Sequence, residues 1–212
     1  MKKALTLVVL IVAPVMAFAQ GTVVFNNSGS SLVQQWTSIY DWTLISVPES
    51  GGYVMLITAP VGTALHPLGT YSPSGFVLNF SSLSGFLSAN PGWSAISTTP
   101  ILPTAVGQFN GGTVTIPPPS ASGTNAWYAI LGWTGSYTTF DAAIAAGQGP
   151  GGSFLGMSAV ATTATGDPLT PVSLSTTFGG MALEGFFLSP EPSTFALPGL
   201  GAVMLMLFHR RR

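Results

Sequence analysis

The chain has no lysine and no arginine between Ala4 and His209. A body without these cations cannot pair its own carboxylates with them, hold an anionic substrate with a guanidinium group, or neutralise phosphates. We therefore expect no nucleic-acid partner, and a fold that depends on apolar burial and backbone hydrogen bonds. The basic residues are all terminal: Lys2, Lys3, Arg210, Arg211 and Arg212.

The composition favours a β protein with an uncharged surface. Charged residues make up 5% of the chain, against ~25% in typical domains, and 47% of the residues are hydrophobic. Such a hydrophobic fraction is unlike that of a disordered chain. The 26 glycines and 17 prolines indicate many turns, and the absence of cysteine excludes thiol catalysis, cysteine-ligated zinc and iron–sulfur clusters.

Short apolar segments alternate with clusters of Gly, Pro, Ser and Asn along the body. The first is 22–25, which ends at the turn-forming Asn26-Asn27-Ser28-Gly29. This spacing predicts an all-β fold, an antiparallel β-sandwich of jelly-roll-like or Ig-like type. The prolines at 117–119 predict a crossing between the sheets or a linker between two half-domains. The predicted strands are 22–25, 42–47, 53–58, 76–80, 93–97, 113–116, 126–134, 157–162, 172–178 and 181–188.

One short helix is predicted within this β body. Asp141 can cap the Ala-rich residues 142–146, and Gly147 can end the helix. The Gly-rich residues 147–152 lack the Lys and Ser/Thr of a phosphate-binding loop, so we expect no nucleotide site.

Residues 1–19 have the organisation of a secretory signal peptide, which we expect to form a signal helix. A lysine pair precedes the apolar run 5–12, and Ala17-Phe18-Ala19 fits the small-x-small cleavage pattern. Cleavage after passage through the Sec translocon would leave Gln20 as the mature N-terminus. The alternative is an uncleaved N-terminal membrane anchor.

The C-terminal residues have the pattern of a transmembrane helix followed by a positive stop. Residues 195–208 contain no charge and would span roughly 21 Å as a helix, short of the ~30 Å hydrocarbon core. Local thinning of the bilayer and snorkelling of Arg210, Arg211 and Arg212 would close the gap, and these arginines should stay cytoplasmic. A buried C-terminal helix of a soluble domain is the alternative.

The motif Pro190-Glu191-Pro192, the apolar span and the basic end together resemble the PEP-CTERM sorting signal of Gram-negative bacteria. The resemblance implies a membrane-embedded exosortase as partner, which cuts near the motif and delivers the protein to the envelope or matrix. It also implies an association with exopolysaccharide production. The expected organisation is a signal peptide at 1–19, a β-sandwich body at 20–188 and a sorting signal at 189–212, which anchors the chain in the membrane until it is processed.

The sequence shows no constellation of catalytic or metal-binding residues. The one histidine of the body, His66, lacks the neighbours of a metal site, so neither a metal nor a cofactor is expected. Glu184 would lie beside Phe186 on one face of a strand, either facing solvent or buried with a perturbed pKa. A secreted hydrolase would have to use Glu184 or Asp41, and we expect no enzyme.

The aromatic side chains are the best indication of a function. Flat rings that are exposed on a sheet can stack on the apolar faces of sugars, whereas most large aromatic residues fill protein cores. The sequence leaves both interpretations open. The residues considered for carbohydrate stacking are Trp93, Trp127 and Trp133.

Three functions are therefore considered, in order of preference. The first is a non-catalytic structural or adhesive protein of the cell envelope or biofilm matrix. The second is a carbohydrate-binding module for exopolysaccharide, which an exposed line of aromatic rings would favour. The third is a secreted glycan hydrolase, which needs two converging carboxylates. Unpaired backbone on an edge strand would instead favour self-assembly.

Overall fold

A computed structural model of the chain describes residues 20–38, 41–72, 75–147 and 152–184. These residues form thirteen strands and two short helices, which confirms the predicted all-β class. The predicted signal peptide and sorting signal lie outside them. The elements are β1 (Thr22–Asn26), β2 (Val33–Ser38), β3 (Asp41–Ser46), β4 (Gly52–Pro60), β5 (Gly69–Ser72), β6 (Gly75–Leu78), α1 (Leu83–Ala89), β7 (Ser94–Pro100), β8 (Asn110–Thr115), β9 (Asn125–Thr134), α2 (Phe140–Ala146), β10 (Leu155–Met157), β11 (Ala161–Ala164), β12 (Val172–Ser173) and β13 (Met181–Leu183).

Strands β4 and β9 form the centre of the fold. They pair antiparallel from Gly52 opposite Thr134 to Pro60 opposite Ala126. Strand β7 pairs with the other edge of β4, while β10 and β11 both pair with the other edge of β9. One strand had been predicted over 157–162, and the structure divides this segment between β10 and β11.

Alternate side chains of the central strands enter two separate cores. Val54 and Leu56 of β4 pack on one side with apolar residues of β1, β2 and β13. Met55 and Ile57 pack on the opposite side, together with Trp133, against both helices and strand β6. Because both faces are covered, β4 and β9 consist of nearly continuous apolar residues instead of an apolar–polar alternation.

Two strand pairs are parallel, which corrects the prediction of a wholly antiparallel fold. Strand β12 runs parallel to β1, with Val172 opposite Val23, and β13 runs parallel to β2, with Met181 opposite Val33. Strands β8 and β3 pair antiparallel with β1 and β2 on their other sides. Parallel partners are distant along the chain, so local turn patterns do not reveal them.

The described residues contain two helices where one was predicted. The additional helix, α1, begins after Ser82, whose hydroxyl accepts a hydrogen bond from the Gly85 amide at 3.0 Å. Phe86 on this helix is fully buried and anchors it to the core. Among the described residues, no helix is long and apolar enough to cross a membrane.

The predicted cap of the second helix is also corrected. Helix α2 is capped by Thr139, whose Oγ1 accepts a hydrogen bond from Ala142 N at 3.2 Å, and Gly147 ends it with φ of 62°. Asp141 lies in the first turn instead, and its Oδ1 accepts a hydrogen bond from Leu83 N at 2.6 Å. Asp141 thereby satisfies an amide at the start of α1 that has no partner within its own helix.

Candidate functional site

Trp127 lies near the start of β9, beside an open groove of about 390 Å³. Trp127 is half-buried and is one of the residues that line this groove. Residues 62–65, which follow β4, and residues 160–162, at the start of β11, form the walls. The volume lies within the range of small-ligand sites.

Two hydroxyl groups on the groove walls are held in place by the backbone. Thr63 Oγ1 donates a hydrogen bond to Pro60 O at 2.7 Å, and Thr162 Oγ1 donates to Ala126 O at 3.1 Å. Each oxygen keeps lone pairs that can accept a hydrogen bond from a ligand. No charged side chain is among the described lining residues. The groove therefore suits an uncharged ligand that carries hydroxyl groups and an apolar face.

The other two tryptophans predicted to stack on sugars lie in the core, which corrects that prediction. Trp133 is 0% exposed, and its Nε1 donates a hydrogen bond to Tyr137 O at 2.6 Å. Its ring stacks on that of Tyr53 with 6.0 Å between centroids. Trp93 is 4% exposed, and its Nε1 donates to Ala64 O at 2.9 Å. Neither ring can receive a ligand from solvent, so of the three predicted residues only Trp127 remains a stacking candidate.

Glu184 lies in a second cleft, directly after β13. Its backbone exchanges two hydrogen bonds with that of Leu155, at 2.8 and 3.0 Å, which fixes Glu184 against β10. The cleft has a volume of about 270 Å³, and Leu68, Phe76 and Met157 are among its walls. Burial in these surroundings raises the pKa of the Glu184 carboxyl to about 7.

Glu184 is the only acid among the described residues that line this cleft. Asp41 is exposed at the start of β3, where its Oδ1 accepts hydrogen bonds from the Thr43 hydroxyl and amide at 2.7 and 3.1 Å. These bonds hold the pKa of Asp41 below its usual value, as bonds from the Thr170 hydroxyl and neighbouring amides do for the pKa of Asp167. Both carboxylates thus complete their own turns. Glycoside hydrolysis needs two carboxyl groups at one bond, and neither described cavity contains such a pair.

The described residues contain no group of three or more His, Asp or Glu side chains that could hold a metal ion. His66 is exposed, and its backbone amide donates a hydrogen bond to Asn90 Oδ1 at 2.5 Å. Gln20 is exposed just before β1. The other residues predicted for cleavage, sorting and the membrane stop lie outside the described ranges: Ala17, Ala19, Pro190, Glu191, Pro192, Arg210, Arg211 and Arg212.

Comparison with known proteins does not identify the chain. No family model matches it, and no match was found among curated proteins or among solved structures. The resemblance of the C-terminal residues to the PEP-CTERM signal therefore stays a prediction.

The Glu184→Gln variant is expected to be more stable than the native chain at pH 8 and equally stable at pH 4.5. The raised pKa means that the folded state prefers the protonated carboxyl, so ionisation destabilises the fold progressively as pH rises from about 4.5 to about 7. Solvent screening at a half-exposed carboxyl reduces this penalty to about 1–2 kcal/mol. Denaturant titrations of both proteins at several pH values would measure it.

Glu49→Gln is the matched control, because it removes the same charge from an exposed turn residue. We expect the control to change stability by less than about 0.5 kcal/mol, as substitutions of exposed residues usually do. A Glu184→Gln variant that is less stable than the native chain at pH 8 would show that the ionised carboxylate stabilises the fold.

Proposed function

We propose that the chain is an exported, non-catalytic protein of the cell envelope or extracellular matrix, with a structural or adhesive role. The observation that carries this proposal is a β body without Lys or Arg, which lies between two terminal segments that each combine an apolar run with basic residues. Among the described residues, the first strand begins at Thr22 and the last ends at Leu183. For this body we propose a sandwich of jelly-roll-like or Ig-like type, because further strands cover one face of the central sheet.

In this proposal the two terminal segments direct the export and the sorting of the protein. The signal peptide directs the chain to the Sec translocon, and residues 195–208 hold it in the inner membrane while the arginines stay cytoplasmic. An exosortase then cuts near Pro190-Glu191-Pro192 and frees the body from this membrane segment. The body is then the part of the protein that acts at the cell surface or in the matrix.

The intact mass and cell fraction of the native protein in its producing organism would test the route. We expect a chain that lacks residues 1–19 and the segment after the Pro-Glu-Pro motif, found outside the inner membrane. A larger mass in that fraction would indicate attached sugar or lipid on a sorted protein. A full-length tail recovered in the inner membrane would overturn the sorting proposal and leave a single-span periplasmic anchor.

The Trp127 groove favours a second, more specific function, the binding of an exopolysaccharide. An indole face can stack on the apolar face of a sugar ring, and Thr63 and Thr162 can accept hydrogen bonds from its hydroxyl groups. Leu65 and Val160 supply apolar walls beside the ring. Such a site would serve an adhesive role without catalysis.

The Trp127→Ala variant is expected to bind the producing organism's exopolysaccharide about tenfold more weakly, which corresponds to about 1.4 kcal/mol of lost ring contact. Affinity electrophoresis of the full chain in gels with and without the polysaccharide would measure this loss. Trp127→Phe keeps an aromatic face and should retain most of the binding.

Leu169→Ala serves as a surface control, because Leu169 is 86% exposed and lies outside the groove. Equal retardation of Trp127→Ala and the native chain would contradict glycan binding at the groove. An equal loss of retardation in the Leu169→Ala control would also contradict glycan binding at the groove.

A further inference from the structure

Strand β3 lies at the outer edge of its sheet, whose strand order is β13-β2-β3. No described strand pairs with its other edge, and its side chains are mostly exposed on both faces. Leu44 and Ile45 are 43% and 42% exposed. Neighbouring residues of a strand point to opposite faces, so Leu44 and Ile45 present apolar side chains to solvent on opposite faces of β3.

The hydrogen bonds to β2 show which backbone groups of β3 face outward. Val47 N donates to Val33 O at 3.0 Å, and Gln35 lies opposite Ile45. Because the direction alternates along an antiparallel strand, Ile45 directs its amide and carbonyl toward β2. Leu44 and Ser46 consequently direct theirs away from β2, toward the open edge.

Strands β7, β8, β10 and β12 carry features that oppose edge pairing, and the outer strands β5, β6 and β11 have only four residues each, whereas β3 has six. Strand β8 contains Gly111 and Gly112, the latter at φ of 69°, and β7 ends at Pro100. Strand β12 has only two residues, and the outer edge of β10 is occupied at Leu155 by an antiparallel backbone bridge to Glu184. Strand β3 has no Gly, Pro, Lys or Arg, and its one charge is at its first residue, Asp41. Proline, lysine and irregular backbone are the usual protection of an exposed edge.

We propose that β3 pairs antiparallel with β3 of a second copy of this chain, about a two-fold axis at Leu44. This register places the outward amide and carbonyl of Leu44 opposite those of its own copy, in a hydrogen-bonded pair. Ser46 then meets residue 42 of the other copy, and Thr43 meets Ile45.

The charge pattern selects the antiparallel arrangement. A parallel pair of edges in register would set the two Asp41 carboxylates side by side, and like charges directly opposite are destabilising. In the antiparallel pair each Asp41 lies beyond the far end of the other strand, near the uncharged Val47. The described body contains no Lys or Arg that could offset repulsion between the carboxylates.

A six-residue edge buries too little surface for a permanent dimer, so we expect weak association that depends on concentration. Confinement on a membrane or in a matrix raises the effective concentration and favours pairing. The pairing itself needs neither export nor glycan binding, so it can be tested independently of the proposed function.

The absence of native cysteine permits a clean disulfide test on the full chain. In the proposed register, Leu44→Cys places two Cα atoms about 5.5 Å apart, within disulfide range. Ser46→Cys places them about 14 Å apart, and Leu169→Cys reports random collision at an exposed site elsewhere. Under mild oxidation we expect the Leu44→Cys dimer to form at least about tenfold faster than either control, since only this position meets the distance requirement.

Equal rates at all three positions, or no dimer from Leu44→Cys, would overturn the proposal. Fast dimers at both 44 and 46 would indicate a parallel edge and overturn the antiparallel arrangement.

Sedimentation of the native chain and of Leu44→Lys provides a second measurement. We expect the concentration-dependent dimer to be lost in Leu44→Lys with an unchanged melting temperature. Association through residues 195–208 would be equal in the native chain and in Leu44→Lys, because the substitution leaves this segment unchanged. A dimer that is equally strong in both proteins would therefore contradict edge pairing.

Discussion

Replacing Asn27 with alanine is expected to lower the free energy of unfolding by about 3–4 kcal/mol, because it leaves buried backbone groups without partners. Asn27 lies just after β1 and is 9% exposed. Its Nδ2 donates hydrogen bonds to Ser31 O at 2.8 Å and Gly107 O at 2.9 Å, and its Oδ1 accepts one from Phe109 N at 2.8 Å. One amide side chain therefore joins the turn after β1 to the connection between β7 and β8. Urea denaturation of the native and variant chains would measure the loss.

Asn27→Asp separates hydrogen bonding from side-chain size. A carboxylate keeps the acceptor for Phe109 N but directs its second oxygen at two carbonyl oxygens, so we expect a destabilised protein at pH 7. Protonation restores one donor, so part of the loss should be recovered as the pH falls toward 4. Asn125→Ala is the control, because Asn125 is exposed, and it should change stability by less than about 0.5 kcal/mol. A loss below about 1 kcal/mol in Asn27→Ala would contradict the structural role of these bonds.

Gly156→Ala is expected to destabilise the chain by about 3 kcal/mol, because the new methyl group would overlap the backbone of β13. A Cβ at this position would overlap the Ala182 carbonyl oxygen and lie 3.1 Å from Leu183 Cα. Backbone atoms cannot move aside as a flexible side chain can, so β13 must shift away from β10. We expect faster hydrogen exchange at Met181 N and Glu184 N, which donate to Leu32 O and Leu155 O.

Gly179→Ala is the matched control for this substitution. Gly179 lies just before β13, and a Cβ added there meets nothing within 4 Å. The same change in composition should therefore leave stability and exchange nearly unchanged. Native-like exchange at Glu184 N in Gly156→Ala would show that β13 does not lie against β10 as described.

The sequence predicts the central strands well because their signal is local. Residues 53–58 and 126–134 are apolar except mainly for Thr58 and Thr134, and β4 and β9 indeed form the covered centre of the fold. Strand β2 was missed because Gln34 and Gln35 interrupt its apolar pattern, although Val33 and Trp36 are buried. Strand β2 pairs with β3 on one side and with β13 on the other, and no local pattern can show the second, non-local contact.

The groove was only partly predictable for the same reason. Trp127 and Trp133 lie on the same face of β9 by strand alternation, so the sequence treats them alike. The structure covers Trp133 with Tyr53 and Phe140 but leaves Trp127 half-open near the other end of the strand. Thr63, Leu65 and Val160 reach the groove from two separate connections, and no local signal could have identified them.

The position of β13 determines how the body would carry mechanical load from its C-terminal side. Met181 and Leu183 are buried, β13 pairs along β2, and Glu184 is bonded to Leu155 on β10. A pull directed along β13 loads these contacts together in shear, whereas a pull across the strand would peel them away one after another. Under tension along its own axis, this last of the described strands therefore resists as a unit, and its extraction would expose Leu183 from the core.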